Sequence, residues 1–175
     1  MPEPGGRLTP AQIAALLRAA AVQLRTELSV LPDALLRHHP APGEWCAKEV
    51  LGHLIEAERR GFAGRIRQIL TEREPALAGW DQAAVARERR DCERPLAPLL
   101  EEFLALREEG AGLVSALRPA ELVRGGQHPT VGYLTVADLI QEWVHHDRNH
   151  LRQILDNVRA YVWPFMGNAQ RFSQS

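Results

Sequence analysis

Two histidines four residues apart, His146 and His150, are the residues of this 175-residue chain whose type and spacing point most directly to chemistry. They lie in TVADLIQEWVHHDRNHLRQILDNV, Thr135 to Val158. On a helix, residues i and i+4 stack one turn apart on one side. Two imidazoles so placed beside a buried stripe can chelate one divalent metal ion, with a third ligand supplied from elsewhere. His145 points to the polar side, with Gln141, Asn149 and Arg152.

The element that must carry this pair is one long helix. Thr135 is a good N-cap, Asp138 completes a capping-box-like start, and no Pro or Gly interrupts the stretch. At about 100° per residue, Val136, Leu139, Ile140, Trp143, Leu151, Ile154, Leu155 and Val158 form one apolar face. Asp147 falls inside that arc. A buried carboxylate needs a partner, and Arg107 and Arg65 occupy matching interior places on two other predicted helices. Asp147 is therefore expected to be buried and bonded to an arginine, Arg107 first.

Three further amphipathic helices are predicted. Thr9-Pro10-Ala11-Gln12 starts the first, which runs to about Val30. The second spans about Cys46 to Leu70, with His53 at the margin of its apolar side near Ala57, Gly61 and Gly64, and with Glu58 and Arg65 inside the apolar arc. The third begins near Pro95 and reaches about Leu117, with Arg107 in its core face. Residues 71–94 read as polar with a weak helical patch, and residues 118–134, which hold Pro119, Gly125, Gly126, Pro129 and Gly132, read as loop. Four such helices without a strand signal predict an all-α four-helix bundle over residues 9–160, with a short extra helical segment and connectivity not confined to simple up-down. Residues 1–8 are expected to be a disordered lead. The tail, residues 161–175, is rich in apolar groups and is expected to pack on the bundle or on a second subunit, which favours a homodimer.

Composition narrows the function classes. Hydrophobic residues make up 45% and charged residues 25%, an ordinary soluble balance. The net charge of −1 gives no electrostatic case for nucleic acid or an anionic membrane. No stretch approaches a membrane span, and the N-terminus lacks an apolar leader. Cys46 and Cys92 form no CxxC motif, so a reduced, cytoplasmic chain is expected. Cys46 reads as an inert buried thiol, and His38, His39 and His128 read as exposed loop residues.

Trp45 followed by CAKEVLGHLIEAERR, together with GYLTVADLIQEWVHHDRNHLRQI, resembles the DinB-like superfamily of four-helix-bundle proteins. The resemblance covers most of residues 9–160. It implies a third ligand, His53, in a W-x-x-x-E-x-x-x-H context, joining His146 and His150 around a divalent metal, often zinc or nickel. It also implies a small-molecule substrate and, in some members, a low-molecular-weight thiol such as bacillithiol or mycothiol. Ser or Thr is common in that family where Cys46 stands here. The expected activity is a metal-dependent thiol S-transferase or hydrolase; the alternative is a non-catalytic metal- or small-molecule-binding stress protein. Glu58, Arg65, Arg107 and Asp147 are expected as a buried ion-pair network. Asp147 or Glu58 could also support a ligand or accept a proton.

Overall fold

The computed structural model describes residues 6–173. Helix α1 (Pro10–Val30) starts where the sequence predicts: Thr9 Oγ1 accepts from the Gln12 amide while Gln12 Oε1 accepts from the Thr9 amide at 2.9 Å. A short α2 (Asp33–Leu36) follows. Then come α3 (Ala47–Glu56), a π-helical turn (Ala57–Gly61) and α4 (Ala63–Thr71). After them lie α5 (Gln82–Arg89), α6 (Leu96–Ser115) and a single-turn α7 (Pro119–Leu122). The last long helix, α8 (Val136–Val162), has the Thr135–Asp138 capping box and continues one turn past the expected end.

The chain is a four-helix bundle. Its four rods are α1, α3 with α4, α6, and α8. The dominant contacts join α1 to α6 and α8, and α3 to α6 and α8. Helices α1 and α3 thus stand at opposite corners although they follow each other in sequence. Ile13, Leu17, Ile66, Val114, Ile140 and Trp143 fill one part of the core; Leu24, Leu51, Leu54, Phe103 and Ile154 fill another. Each large apolar side chain so buried contributes roughly 1.5–3 kcal/mol. One detail of the predicted α8 face differs. Leu155 is exposed, and Asn157 takes the inward place, donating from Nδ2 to the Trp45 carbonyl at 2.9 Å.

Two features correct the sequence expectation. The helix predicted from Cys46 to Leu70 is not continuous. The Phe62 amide bonds back five residues to the Ala57 carbonyl at 2.8 Å, so one extra residue is accommodated in the turn. Gly64 makes this possible: a Cβ there would stand 2.1 Å from the Arg59 carbonyl oxygen. The second correction concerns residues 118–134, read as loop without strands. Strand β1 (Gly125–His128) pairs antiparallel with β2 (Gly132–Thr135), Gly125 opposite Thr135. Four-residue strands containing three glycines carry too little apolar alternation to be visible in sequence. The hairpin also bonds the 71–81 segment: Leu77 N–H donates to Gln127 O at 2.8 Å and Gln127 N–H to Pro75 O at 2.9 Å.

Of the expected N-terminal lead, residues 1–5 lie outside the described residues; Arg7 pairs with Asp138 at 3.1 Å and Leu8 packs on the core. In the tail, Trp163–Phe165 and Gly167–Ser173 form 3-10 turns, and Phe165 and Phe172 are 78% and 87% exposed. No described helix is long and apolar enough to cross a membrane.

Candidate metal centre

The structure brings His53 from α3 to His146 and His150 from α8. One ring nitrogen from each lies within 4.8 Å of the others. His53 Nε2 and His146 Nε2 are 2.9 Å apart, and the ring centroids are 4.5–5.1 Å apart. Two ring nitrogens held at about 2.0–2.1 Å by one ion stand roughly 3 Å apart, so this spacing suits a shared cation. His150 Nδ1 donates to Gln153 Oε1 at 2.8 Å, which leaves its Nε2 lone pair for a ligand role. Gln153 was missed from sequence; its only signal is the i+3 position after His150.

The three rings are held neutral. Burial, and then the repulsion of a charged His150, lower the His53 pKa to about 3. Burial, followed by His150 and His53, lowers His146 to about 2. His150 is also lowered, by burial, against opposing pulls from Gln153 and Asp147. Neutral imidazoles present lone pairs, the state that a metal requires. The donor set therefore fits a divalent ion.

Aromatic rings enclose the cluster. Trp80 stacks on His53 at 5.5 Å and 15°, and Trp45 leans on its ring at 5.1 Å. Trp80 sits just beyond the segment that the β-hairpin pins, so the hairpin helps position this cover. On the other side, Phe62 stacks on Trp143 and meets His146 edge-on.

Beneath the three histidines lies a buried charge network. Arg107 donates from Nε to Glu58 Oε1 at 2.7 Å, from Nη2 to Asp147 Oδ1 at 2.9 Å and from Nη1 to the Leu17 carbonyl at 3.0 Å. Its Nη1 also pairs with Asp147 Oδ2. All three charged residues are about 1% exposed. Burial raises the Glu58 pKa to about 7, with Arg107 pulling it down and Asp147 pushing it up. Arg65, expected in this network, stands apart from it. It is half-buried, and its Nη2 donates to the Ala78 carbonyl at 2.8 Å and lies 3.1 Å from His128 Nε2. Helix α4 is turned by the π-helical insertion, which takes Arg65 off the predicted face. A second network was not foreseen: buried Glu56 accepts from Arg89 at 2.7 Å and Arg60 at 2.6 Å.

A cavity of about 940 Å³ opens beside His146. Phe62, Arg65, Trp80, His128, Glu142 and His145 are on its wall. Neither Asp147 nor Glu58 reaches it. His128, expected as a plain loop residue, is brought to the wall by β1. His38 is set against Tyr161, and His39 and Cys46 lie together with Cys92.

Comparison with known proteins agrees with this architecture. Residues 7–154 match the model of the DinB superfamily. A protein of Oceanobacillus iheyensis, provisionally named a metal-dependent hydrolase, is 25% identical over 121 residues, 69% of each chain. YfiT of Bacillus subtilis carries the same provisional name and is 23% identical over 149 residues, 85% of this chain and 83% of its own. The solved structure of YfiT, a four-helix bundle described as having unusual topology, superposes with a TM-score of 0.81 at 22% identity. The match covers 92% of this chain and 94% of that one, and it establishes likeness of fold.

Proposed function

The chain belongs to the DinB superfamily, and we propose that it is a divalent-metal-dependent hydrolase of a small molecule, with His53, His146 and His150 holding the ion. The observation that carries this reading is the convergence of three neutral imidazoles beside a substrate-sized cavity. Zinc and nickel both suit such a nitrogen set. A bound ion of this kind supplies Lewis acidity and lowers the pKa of a water or thiol that it binds. The provisional names of the relatives point the same way.

The chain's own residues have separable tasks. Gln153 orients the His150 ring. Trp45 and Trp80 shield His53 from water. Arg65 has no carboxylate partner among the described residues, and its buried Nε has no hydrogen-bond acceptor. On the cavity wall it suits a substrate bearing a carboxylate or phosphate. Asp138, on the same wall, is committed to the Thr135 cap and Arg7. Glu142 and His145, 3.9 Å apart on the same wall, are the candidates for general acid or base.

A second reading is transfer of a group to a low-molecular-weight thiol. The cavity volume favours it, being large enough for two small reactants. The test is a panel of esters, amides and activated electrophiles, with zinc- or nickel-loaded protein, with and without cellular thiols. Metal-dependent turnover in water alone supports hydrolysis. Turnover only with thiol supports transfer. Tight metal binding without turnover in either arm counts against both and favours the non-catalytic stress-protein role. The exposed Phe165 supports a homodimer; light scattering that showed only monomer at micromolar concentration would reject it.

A further inference from the structure

Away from the three-histidine centre, three segments deliver soft ligands to one point. His39 comes from the loop after α2, Cys46 is the N-cap residue of α3, and Cys92 lies in the 3-10 turn Asp91–Glu93 before α6. One donor atom from each lies within 4.8 Å of the other two. Both cysteines are free thiols. His39 Nε2 is 3.7 Å from Cys92 Sγ. For a tetrahedral ion with bonds of about 2.3 Å to sulfur and about 2.0–2.1 Å to nitrogen, the sulfur–nitrogen edge is roughly 3.5 Å. The preformed separation is close to that edge.

The histidine is already oriented for such a role. His39 Nδ1 lies 2.8 Å from the Glu44 carbonyl oxygen. A carbonyl only accepts, so Nδ1 carries the proton and Nε2 turns its lone pair toward the sulfur. A backbone carbonyl on the remote ring nitrogen is the usual support of a metal-bound imidazole. The Glu49 carboxylate stands 3.5 Å from the same Nδ1 and also accepts from the Cys46 amide at 2.9 Å. It adds negative charge beside the cluster.

The turn that carries Cys92 is firmly seated. Asp91 is buried and accepts from Arg89 Nε at 2.6 Å and Arg94 Nη1 at 2.7 Å. It rests on α3 at Gly52, where a Cβ would meet Asp91 Oδ2 at 1.8 Å. Cys92 Sγ itself is 3.8 Å from the Arg37 carbonyl oxygen. Cys46 is fully buried, whereas Cys92 and His39 are partly exposed, so the cluster is reachable from solvent on one side.

We propose that His39, Cys46 and Cys92 form a second metal site, for a thiophilic divalent cation such as zinc. Two thiolates and an imidazole are a donor set selective for such ions over calcium or magnesium. Binding replaces both S–H bonds by sulfur–metal bonds, and the two protons pass to solvent. Burial pushes the Cys46 thiol pKa up, so in the metal-free protein this sulfur is protonated. The bound ion would fasten the 37–45 loop and the turn before α6 to the start of α3. The site has a structural rather than a catalytic placement, and it does not depend on the function proposed above.

The experiment is a titration of reduced, metal-free protein with cobalt(II). Thiolate ligands give an intense sulfur-to-cobalt charge-transfer absorption in the near ultraviolet, which an all-histidine site lacks. The expected result is that band in the wild type and in the His146→Ala/His150→Ala double variant, and its loss in Cys92→Ser. Zinc stoichiometry should fall by one per chain in Cys92→Ser, with unchanged far-ultraviolet circular dichroism. Cys92 is the residue to change because it is not fully buried; His39→Ala, on an exposed loop, is the second variant and should weaken zinc binding at this site at least tenfold. A reduced wild type without the charge-transfer band would overturn the proposal, as would a band that survives in Cys92→Ser. So would a Cys46–Cys92 disulfide forming readily in air from a reduced protein that takes up no more zinc than Cys92→Ser does.

Discussion

Arg107 grips Asp147 across the bundle with both of its terminal nitrogens. Asp147 adjoins His146, so this pair ties α6 to α8 beside the candidate metal histidines. Removing one partner of a buried ion pair leaves the other charge stranded and typically costs about 3–5 kcal/mol. For a chain of this length, that corresponds to a fall in melting temperature of roughly 6–20 °C. Asp147→Ala is expected to show such a fall in thermal denaturation, in metal-free and metal-loaded protein alike. A variant that melted like the wild type but bound metal weakly would reject the structural role of the pair.

Glu58, the other partner of Arg107, should write its burial into the pH dependence of stability. Its pKa rises from an ordinary 4.5 to about 7, mainly through burial. Between these values the folded protein keeps a proton that the unfolded chain has released. The contribution of Glu58 is therefore greatest below about pH 4.5 and is lost as pH rises through 7, by about 3 kcal/mol in all. The buried histidines work in the opposite sense, costing stability as pH falls below 6.5. Subtracting the unfolding free energy of Glu58→Gln from that of the wild type at pH 5, 6, 7 and 8 cancels their share. The difference should decline steadily with pH; a flat difference would mean that Glu58 is ionised throughout.

At the three-histidine centre, the two neighbours on α8 should behave differently. His150→Ala removes a convergent nitrogen and is expected to weaken metal binding by more than the roughly 100-fold that loss of an outer partner costs. His145→Ala, on the exposed side of the helix, should bind metal nearly as the wild type does. Calorimetric titration of both, in a Cys92→Ser background to remove thiol binding, makes the comparison. Equal losses would show that the wrong face of α8 carries the ligands.

Gln153 offers a subtler test. It accepts from His150 Nδ1 at 2.8 Å, and without it the ring is free to turn or change tautomer. Gln153→Ala should lower metal affinity about 10–100-fold, and Gln153→Glu should restore it. The melting temperature of the metal-free protein should change little. Unchanged affinity in Gln153→Ala would remove the residue from the centre.

The legible parts of this molecule were those governed by local rules. Thr9 with Gln12 and Thr135 with Asp138 placed the starts of α1 and α8, because a capping box is written within four residues. The pairing of Asp147 with Arg107 was also foreseeable, since a charge inside an apolar arc demands a counter-charge inside another. Arg65 failed the same argument because the arc was drawn through an unbroken helix, and the π-helical turn shifts every residue after Gly61. The gathering of His39 with Cys46 and Cys92 left no trace in spacing: these residues are 7 and 46 positions apart and meet only through tertiary packing. The hairpin was hidden for a related reason. Its partner segment, Pro75–Leu77, lies about 50 residues earlier in the chain.

The extra residue at Ala57–Gly61 also acts as a phase shifter. Each residue advances a helix by about 100°, so the half of the rod that bears His53 and the half that bears Phe62 and Arg65 are offset by that angle from a regular continuation. A lineage that lost one residue here would regain a regular helix and keep His53, His146 and His150. Because the π turn absorbs the extra residue, that deletion would leave Phe62 on Trp143 and Arg65 on the cavity wall. A substitution that drew all five residues into a regular α-helix would instead turn the following half by about 100°, moving Phe62 and Arg65 while His53, His146 and His150 stay unsubstituted.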